Sequence, residues 1–287
     1  MSVSRRSFLK TTGAAAAVLC AGADRLAAKP LKLPLGLELY SVRQDIGKDL
    51  DGTLAKVRAC GYTVVEGGTF IKATAAECKA AMEKAGLKLI SYHYTLALLR
   101  TELDQILEHA HTTGMQYIVN SSSGGQHRVP SDARDLSLDD WRWVADEMNK
   151  IGEKCKAAGI TLGMHNHVAE FATLDGVLVY DELLKLTDPA LVTFQMDCGW
   201  VFASGHDPVE FLKKSPKRFP LLHVKDMIKQ PDGKEKITAL GKGSIDYGPI
   251  FKAATGTKYY YIEQEAYDMD EYEELKVNAD YMRHLNV

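Results

Sequence analysis

"IGEKCKAAGITLGMHNH", residues 151–167, carries in one line the pattern that decides the fold. A stretch with helical periodicity ends at Gly159, and glycine closes helices readily because it tolerates a left-handed backbone. A short apolar run, Ile160 to Met164, follows. It ends on His165 and His167, two residues apart, which on a strand point to the same face. Such a pair is compatible with metal ligands, with substrate contacts, or with ordinary polar residues. The choice depends on what ends the other strands.

The same unit recurs in both directions. Apolar, β-branched or aromatic runs occupy 35–40, 63–67, 87–93, 115–120, 160–167, 191–197, 219–225 and 258–265. Helical stretches such as "LDGTLAKVRACG", "TAAECKAAMEKAG" and "TELDQILEHAHTTG" lie between them. Asp188-Pro189 marks a turn before the sixth run, and "DEYEELKVNADYMRHL" closes the chain as a helix. Eight strands alternating with helices over about 250 residues predict an α/β chain, a (β/α)8 TIM barrel spanning residues 34–287. A doubly wound open sheet is the alternative. No GxGxxG follows any strand, which argues against dinucleotide binding.

Composition agrees with one large core: of 287 residues, 46% are hydrophobic and 25% charged. The first 28 residues stand apart. "SRRSFLK" followed by "TTGAAAAVLCAG" reads as a twin-arginine signal peptide, with cleavage after Ala23 or Ala28. The apolar part is too short to span a bilayer, and Leu19 before Cys20 is too bulky for a lipoprotein site. The expected location is periplasmic or otherwise exported, with the twin-arginine machinery as partner and no membrane anchor after processing. Cleavage removes four basic side chains and one acidic one, taking the formal charge from −3 to −6. That balance lacks the electrostatic footprint of a nucleic-acid binder. Cys60, Cys78, Cys155 and Cys198 remain, without the tight spacing of a zinc knuckle or disulfide framework.

Barrel enzymes carry their chemistry at the C-terminal strand ends. Here those ends offer Glu38 and Tyr40, Glu66, His93, Asn120, His165 and His167, Asp197, His223 and Lys225, and Glu263 and Glu265. Barrel interiors are packed with Val, Ile and Leu, so packing does not explain a full ring of polar ends. Runs five to eight can place His165, Asp197, His223 and Glu263 around one divalent ion. Two imidazoles and two carboxylates suit Mn, Zn, Co or Fe better than Mg.

"LGLELYSVR", "HNHVAEF", "MDCGWVFASGHDP", "LLHVKD", "GKGSIDY" and "YYIEQE" together resemble the xylose-isomerase-like TIM barrel superfamily. That group holds sugar phosphate isomerases and epimerases, inosose dehydratases and endonuclease IV. In its keto-sugar epimerases, Glu, Asp, His and Glu from strands five to eight hold the metal, and the two glutamates act as an acid/base pair. The matching positions here are His165, Asp197, His223 and Glu263. The first differs, so the symmetric pair is absent. The inosose dehydratases are similar in their His-rich fifth strand and HxKD seventh strand, which raises dehydration as a rival to epimerisation.

Glu263 is the expected proton carrier. Glu170 can stand in for the missing glutamate or be a solvated loop carboxylate. Lys225 can stabilise an enolate oxygen or pair with Asp226. Glu66, His93, His167 and Trp200 are expected substrate contacts, although Trp200 suits a core equally. "SSSGGQH" (121–127) reads as a candidate lid, and "GKGSID" as a turn rather than a phosphate cradle. The expectation is an exported metal-dependent isomerase or epimerase acting on a keto-sugar through an enolate-type intermediate. A dehydratase or β-eliminating lyase is the alternative. An endonuclease-IV-like nuclease and a non-catalytic sugar-binding barrel are the remaining rivals, and a homo-oligomer is compatible.

Replacing Arg5 and Arg6 by Lys will strand the protein in the cytoplasm, as cell fractionation reads it. Normal export of that variant would contradict the signal.

Overall fold

The computed structural model describes residues 31–124, 132–230 and 234–287. The export signal, its cleavage points and Cys20 lie outside the described residues. So does the 125–127 part of the candidate lid.

Twelve described strands follow in chain order. They are β1 (Leu35–Glu38), β2 (Val64–Gly68), β3 (Lys88–Thr95), β4 (Tyr117–Ser122), β5 (Thr161–His165), β6 (Thr173–Leu174), β7 (Val177–Leu178), β8 (Val192–Asp197), β9 (Leu221–Val224), β10 (Asp226–Lys229), β11 (Glu235–Thr238) and β12 (Tyr259–Ile262). The described helices are α1 (Arg43–Ile46), α2 (Leu50–Ala59), α3 (Ala75–Ala85), α4 (Leu96–Thr101), α5 (Leu103–Thr113), α6 (Leu138–Ala157), α7 (Val179–Leu186), α8 (Cys198–Ala203), α9 (Pro208–Lys214), α10 (Tyr247–Ala253) and α11 (Glu271–His284).

Eight strands close into one parallel barrel in the order β1, β2, β3, β4, β5, β8, β9, β12 and back to β1. They are the eight runs of the sequence, so the fold is the (β/α)8 barrel rather than the open sheet. Two features depart from plain alternation. The antiparallel pairs β6–β7 and β10–β11 interrupt the connections after β5 and β9, and two helices instead of one follow β1, β3 and β8.

Local signals set the helix ends. Thr74 and Glu77 form a capping box at the start of α3, and Ser137 and Asp140 another at α6. Gly86 ends α3 with φ 68°, a left-handed conformation that a side chain would strain. Most of the core lies between strands and helices. A smaller cluster, Val64, Ile90, Tyr117, Val119, Leu221 and Tyr261, fills the barrel. Ser91 donates to the Tyr261 hydroxyl at 2.8 Å, so this large polar ring is buried without an orphaned oxygen. The four described cysteines are free and buried. Among the described residues no helix is long and apolar enough to cross a membrane.

Gly36 marks how tightly β1 meets β12. A Cβ there would lie 2.1 Å from the Tyr260 carbonyl oxygen and 2.8 Å from the Tyr261 ring. Gly36→Ala will therefore destabilise the barrel by about 1–3 kcal/mol, the usual range for overpacking, as read by urea unfolding. An unchanged midpoint would show that the strands separate freely.

Candidate active site

Parallel register brings the polar strand ends into one layer. Glu38 is level with Glu66, His165 with Gln195, and Asp197 with His223. Above them opens a cavity of about 250 Å³ lined by Glu38, Tyr40, Gly68, Thr69, Phe70, His93, Ser121, His165, His167, Glu263 and Glu265. Tyr40 and Phe70 meet edge to face, centroids 5.6 Å apart, and give it an aromatic wall.

Asp197, His223 and Glu263 present ligand atoms within 4.8 Å of one another. His165 belongs to a second such group with His93 and His223, and its Nε2 lies 4.0 Å from Asp197 Oδ2. Helix α8 explains the aim of Asp197. Its Oδ1 caps the helix by accepting from Trp200 N at 3.0 Å, which leaves Oδ2 for the interior. That oxygen is buried and makes no hydrogen bond of good geometry. His223 Nδ1 is 3.9 Å away and the Lys225 ammonium 2.9 Å away. A buried carboxylate oxygen with no hydrogen bond of good geometry, amid imidazoles and a second carboxylate, fits a divalent cation.

Charges in this layer are balanced internally. Lys225 is fully buried, with Nζ at 2.9 Å from Asp197, 2.8 Å from Glu263 and 2.5 Å from Glu265. Burial opposes its charge, but the three carboxylates outweigh burial and raise its pKa far above the usual lysine range. Burial likewise favours the acid form of Glu263, yet Lys225 and then His223 hold it ionised well below the usual carboxylate range. His223 donates to Glu263 through Nδ1 (3.0 Å) and to Glu66 through Nε2 (2.5 Å). Burial would lower its pKa, but these two partners push it up to about 10. Glu66 stays ionised against burial because His93 and His223 face it. Glu38 behaves oppositely: burial and then the neighbouring Glu66 and Glu263 charges raise its pKa well above normal. His165 is kept neutral by burial and by the surrounding histidines.

The structure brings His93 and His167 to the cavity with His165. Glu66, Trp200, Asp197, His223 and Lys225 are not among its lining residues. Glu66 is fully buried. Trp200 stands with its ring centroid 4.7 Å from the Lys225 ammonium and 6.2 Å from that of His167. Glu170 is buried and accepts from the His167 backbone N–H at 2.8 Å, closing the loop after β5 rather than lining the cavity. Its pKa is raised by burial.

Lys225 does not pair with Asp226. Consecutive side chains diverge, and Asp226 accepts from the backbone N–H groups of Met227, Gly241, Gly243 and Ile245 at 2.9–3.1 Å. The "GKGSID" segment is thus a turn whose donors are already taken by a carboxylate. Gln195 is the residue that sequence reasoning missed. It is fully buried and touches His93, His165 and Glu66. Alternation along β8 was the available signal, because Gln195 shares a face with Asp197.

Asp226→Ala will leave those four donors without their acceptor. A loss of about 2–4 kcal/mol in unfolding free energy is expected, since each buried unsatisfied donor costs about 1–3 kcal/mol and some will find water. Unchanged stability would mean that the turn holds without its carboxylate.

Comparison with known proteins accords with this geometry. Residues 54–285 match the family model described as xylose isomerase-like TIM barrel, and residues 2–22 match the twin-arginine translocation signal model, which marks the chain for export. An inosose dehydratase of Clostridium botulinum (strain Alaska E43 / Type E3) is 27% identical over 244 residues, covering 75% of this chain and 81% of the relative. A solved sugar phosphate isomerase/epimerase from Parabacteroides distasonis ATCC 8503 superposes with a TM-score of 0.73 at 26% identity, covering 90% of this chain and 96% of that one. The IOLI protein, solved with a zinc atom, shares the fold alone: TM-score 0.65 and 15% identity, over 86% of this chain and 96% of that one. With its closed parallel barrel and a family match over most of its length, the chain belongs to the xylose isomerase-like TIM barrel family.

Proposed function

We propose that this protein is an exported, metal-dependent carbohydrate lyase of the dehydratase type. It would take a proton from the carbon beside a ketone and expel the β-oxygen of a keto-sugar or keto-cyclitol, protonated by Lys225, as water or an alcohol. The observation that carries this reading is the asymmetry of the groups at the cavity floor. Epimerisation through an enolate calls for a proton carrier on each face of the carbon. Here the end of β5 holds the neutral imidazole of His165, and the end of β12 holds the ionised Glu263, 2.8 Å from the Lys225 ammonium. One base paired with one cationic acid suits elimination.

A divalent ion held by His165, Asp197, His223 and Glu263 would supply the charge that polarises the substrate ketone. Glu263 is the base. Its ammonium partner weakens it, so a substrate oxygen that draws Lys225 away also strengthens the carboxylate at the moment it is needed. Lys225 then faces the developing negative oxygen as a fixed donor. His167 and His93 supply polar contacts to substrate hydroxyls, and the Tyr40–Phe70 wall suits the apolar face of a sugar ring.

An uncharged substrate is favoured over a sugar phosphate. Among the described residues the cavity lining includes three glutamates and no arginine or lysine. The relatives named inosose dehydratase support the dehydration reading. Isomerisation or epimerisation is the second reading, favoured by the solved isomerase/epimerase at 26% identity.

The test is incubation of zinc- or manganese-loaded protein with 3-keto-glycosides, ketohexoses and inososes in D₂O, followed by NMR. The expected product is an unsaturated ketone with its β-substituent gone. Glu263→Gln should lower turnover by roughly 10²–10⁴, the usual worth of a positioned base. Asp197→Ala should lose bound metal by elemental analysis, while His167→Ala keeps it. A product that keeps its β-substituent and carries deuterium beside the carbonyl would replace the lyase reading with the isomerase one. Ligand-induced stabilisation without any turnover would instead leave a sugar-binding barrel.

A further inference from the structure

We propose that Gln195 is a positioning residue that fixes which ring nitrogen of His165 faces the metal; this rests on the metal site proposed above. Its side chain is fully buried on β8 with no exposure to water. Nε2 lies 2.9 and 2.8 Å from the two oxygens of Glu66. Oε1 lies 3.0 Å from His165 Nδ1 and 2.7 Å from His93 Nε2.

The amide has one workable orientation. An ionised carboxylate only accepts hydrogen bonds, so the –NH₂ must face Glu66. Turned the other way, the carbonyl oxygen would abut carboxylate oxygens at 2.8–2.9 Å with no proton between them. The carbonyl therefore faces the imidazoles, and an amide carbonyl only accepts. Both ring nitrogens at Oε1 must carry a hydrogen. In a neutral imidazole the other nitrogen is then the bare lone pair. For His165 that atom is Nε2, the one 4.0 Å from Asp197 Oδ2.

The same unit reaches the second imidazole ligand. Glu66, held by the Gln195 amide, accepts from His223 Nε2 at 2.5 Å. With Nε2 held by Glu66, a metal would bind His223 at Nδ1, the nitrogen near Asp197 and Glu263, in place of the proton that Nδ1 now donates to Glu263. One amide and one carboxylate, neither lining the cavity, thus orient two ligands on neighbouring parts of the barrel. Partners of this kind commonly contribute 10- to 100-fold in metal affinity.

Two measurements test the assignment, and neither uses turnover. Nitrogen-15 spectra of the chelator-treated mature protein report the His165 tautomer directly, with His165→Gln to assign its signals. The expected state is Nδ1–H with bare Nε2. Calorimetry with zinc on Gln195→Met, a chain of similar length without the amide, should show affinity lower by about 10- to 100-fold. Its circular dichroism should be unchanged and its His165 signals should report mixed tautomers. Wild-type His165 in the Nε2–H form, or full zinc affinity in a folded Gln195→Met, would overturn the proposal. The Nδ1–H form in a protein that turns over none of the keto-sugars would uphold it while removing the lyase reading.

Discussion

Charges under the mouth of a closed barrel cannot be left to water, and the top layer of this molecule is built around that constraint. Lys225 is the clearest case. A fully buried ammonium in an apolar setting would lose its proton. It keeps it because Asp197, Glu263 and Glu265 converge on it from two other strands. The dependence is mutual, since Glu263 owes its ionised state mainly to Lys225. Gly199 adds a steric condition: a Cβ there would lie 2.2 Å from Lys225 Cγ, so the start of α8 must be bare for the lysine stem to pass. Replacing any one of these groups leaves the others with an unmatched charge, which is costlier than losing the pair entirely.

Much of this was legible in the amino-acid order. Each of the eight apolar runs becomes a barrel strand, because alternation with helical periodicity has few other solutions at this length. His165, Asp197 and His223 fall together because they end adjacent parallel strands, and parallel register is short-range information. Depth was less legible. Glu66 ends its run as plainly as His93 does, yet a register irregularity between Val65 and Glu66 accompanies its place away from the cavity, while His93 reaches the lining. Partner choice was harder still. Lys225 and Asp226 are adjacent in sequence, but alternation sends one inward to carboxylates and the other outward to a turn. Gln195 carries little signal in the sequence, because an uncharged amide two residues before Asp197 is unremarkable without the three partners that the fold places around it.

The division between scaffold and chemistry is also spatial. Tyr261, Tyr117 and Leu221 fill the barrel below, and Gly36 lets Tyr261 pack against β1 without a gap. Above them the side chains turn polar within one alternation step, as from Tyr261 to Glu263. Altering the upper residues changes the polar groups at the cavity while the packed layer beneath keeps the strands in register. This is how one barrel architecture supports relatives named for different reactions.

The four described thiols bear on the life of the protein after export. Burial lifts Cys78 to about 11 and Cys155 to about 12, and raises Cys60 and Cys198 as well. Near neutral pH almost none of this sulfur is thiolate, the form that oxidants attack. The folded chain keeps these buried sulfurs out of reach of disulfide-forming machinery outside the cell membrane. It can therefore work in an oxidising compartment with reduced cysteines, protected by its own packing rather than by a cross-link.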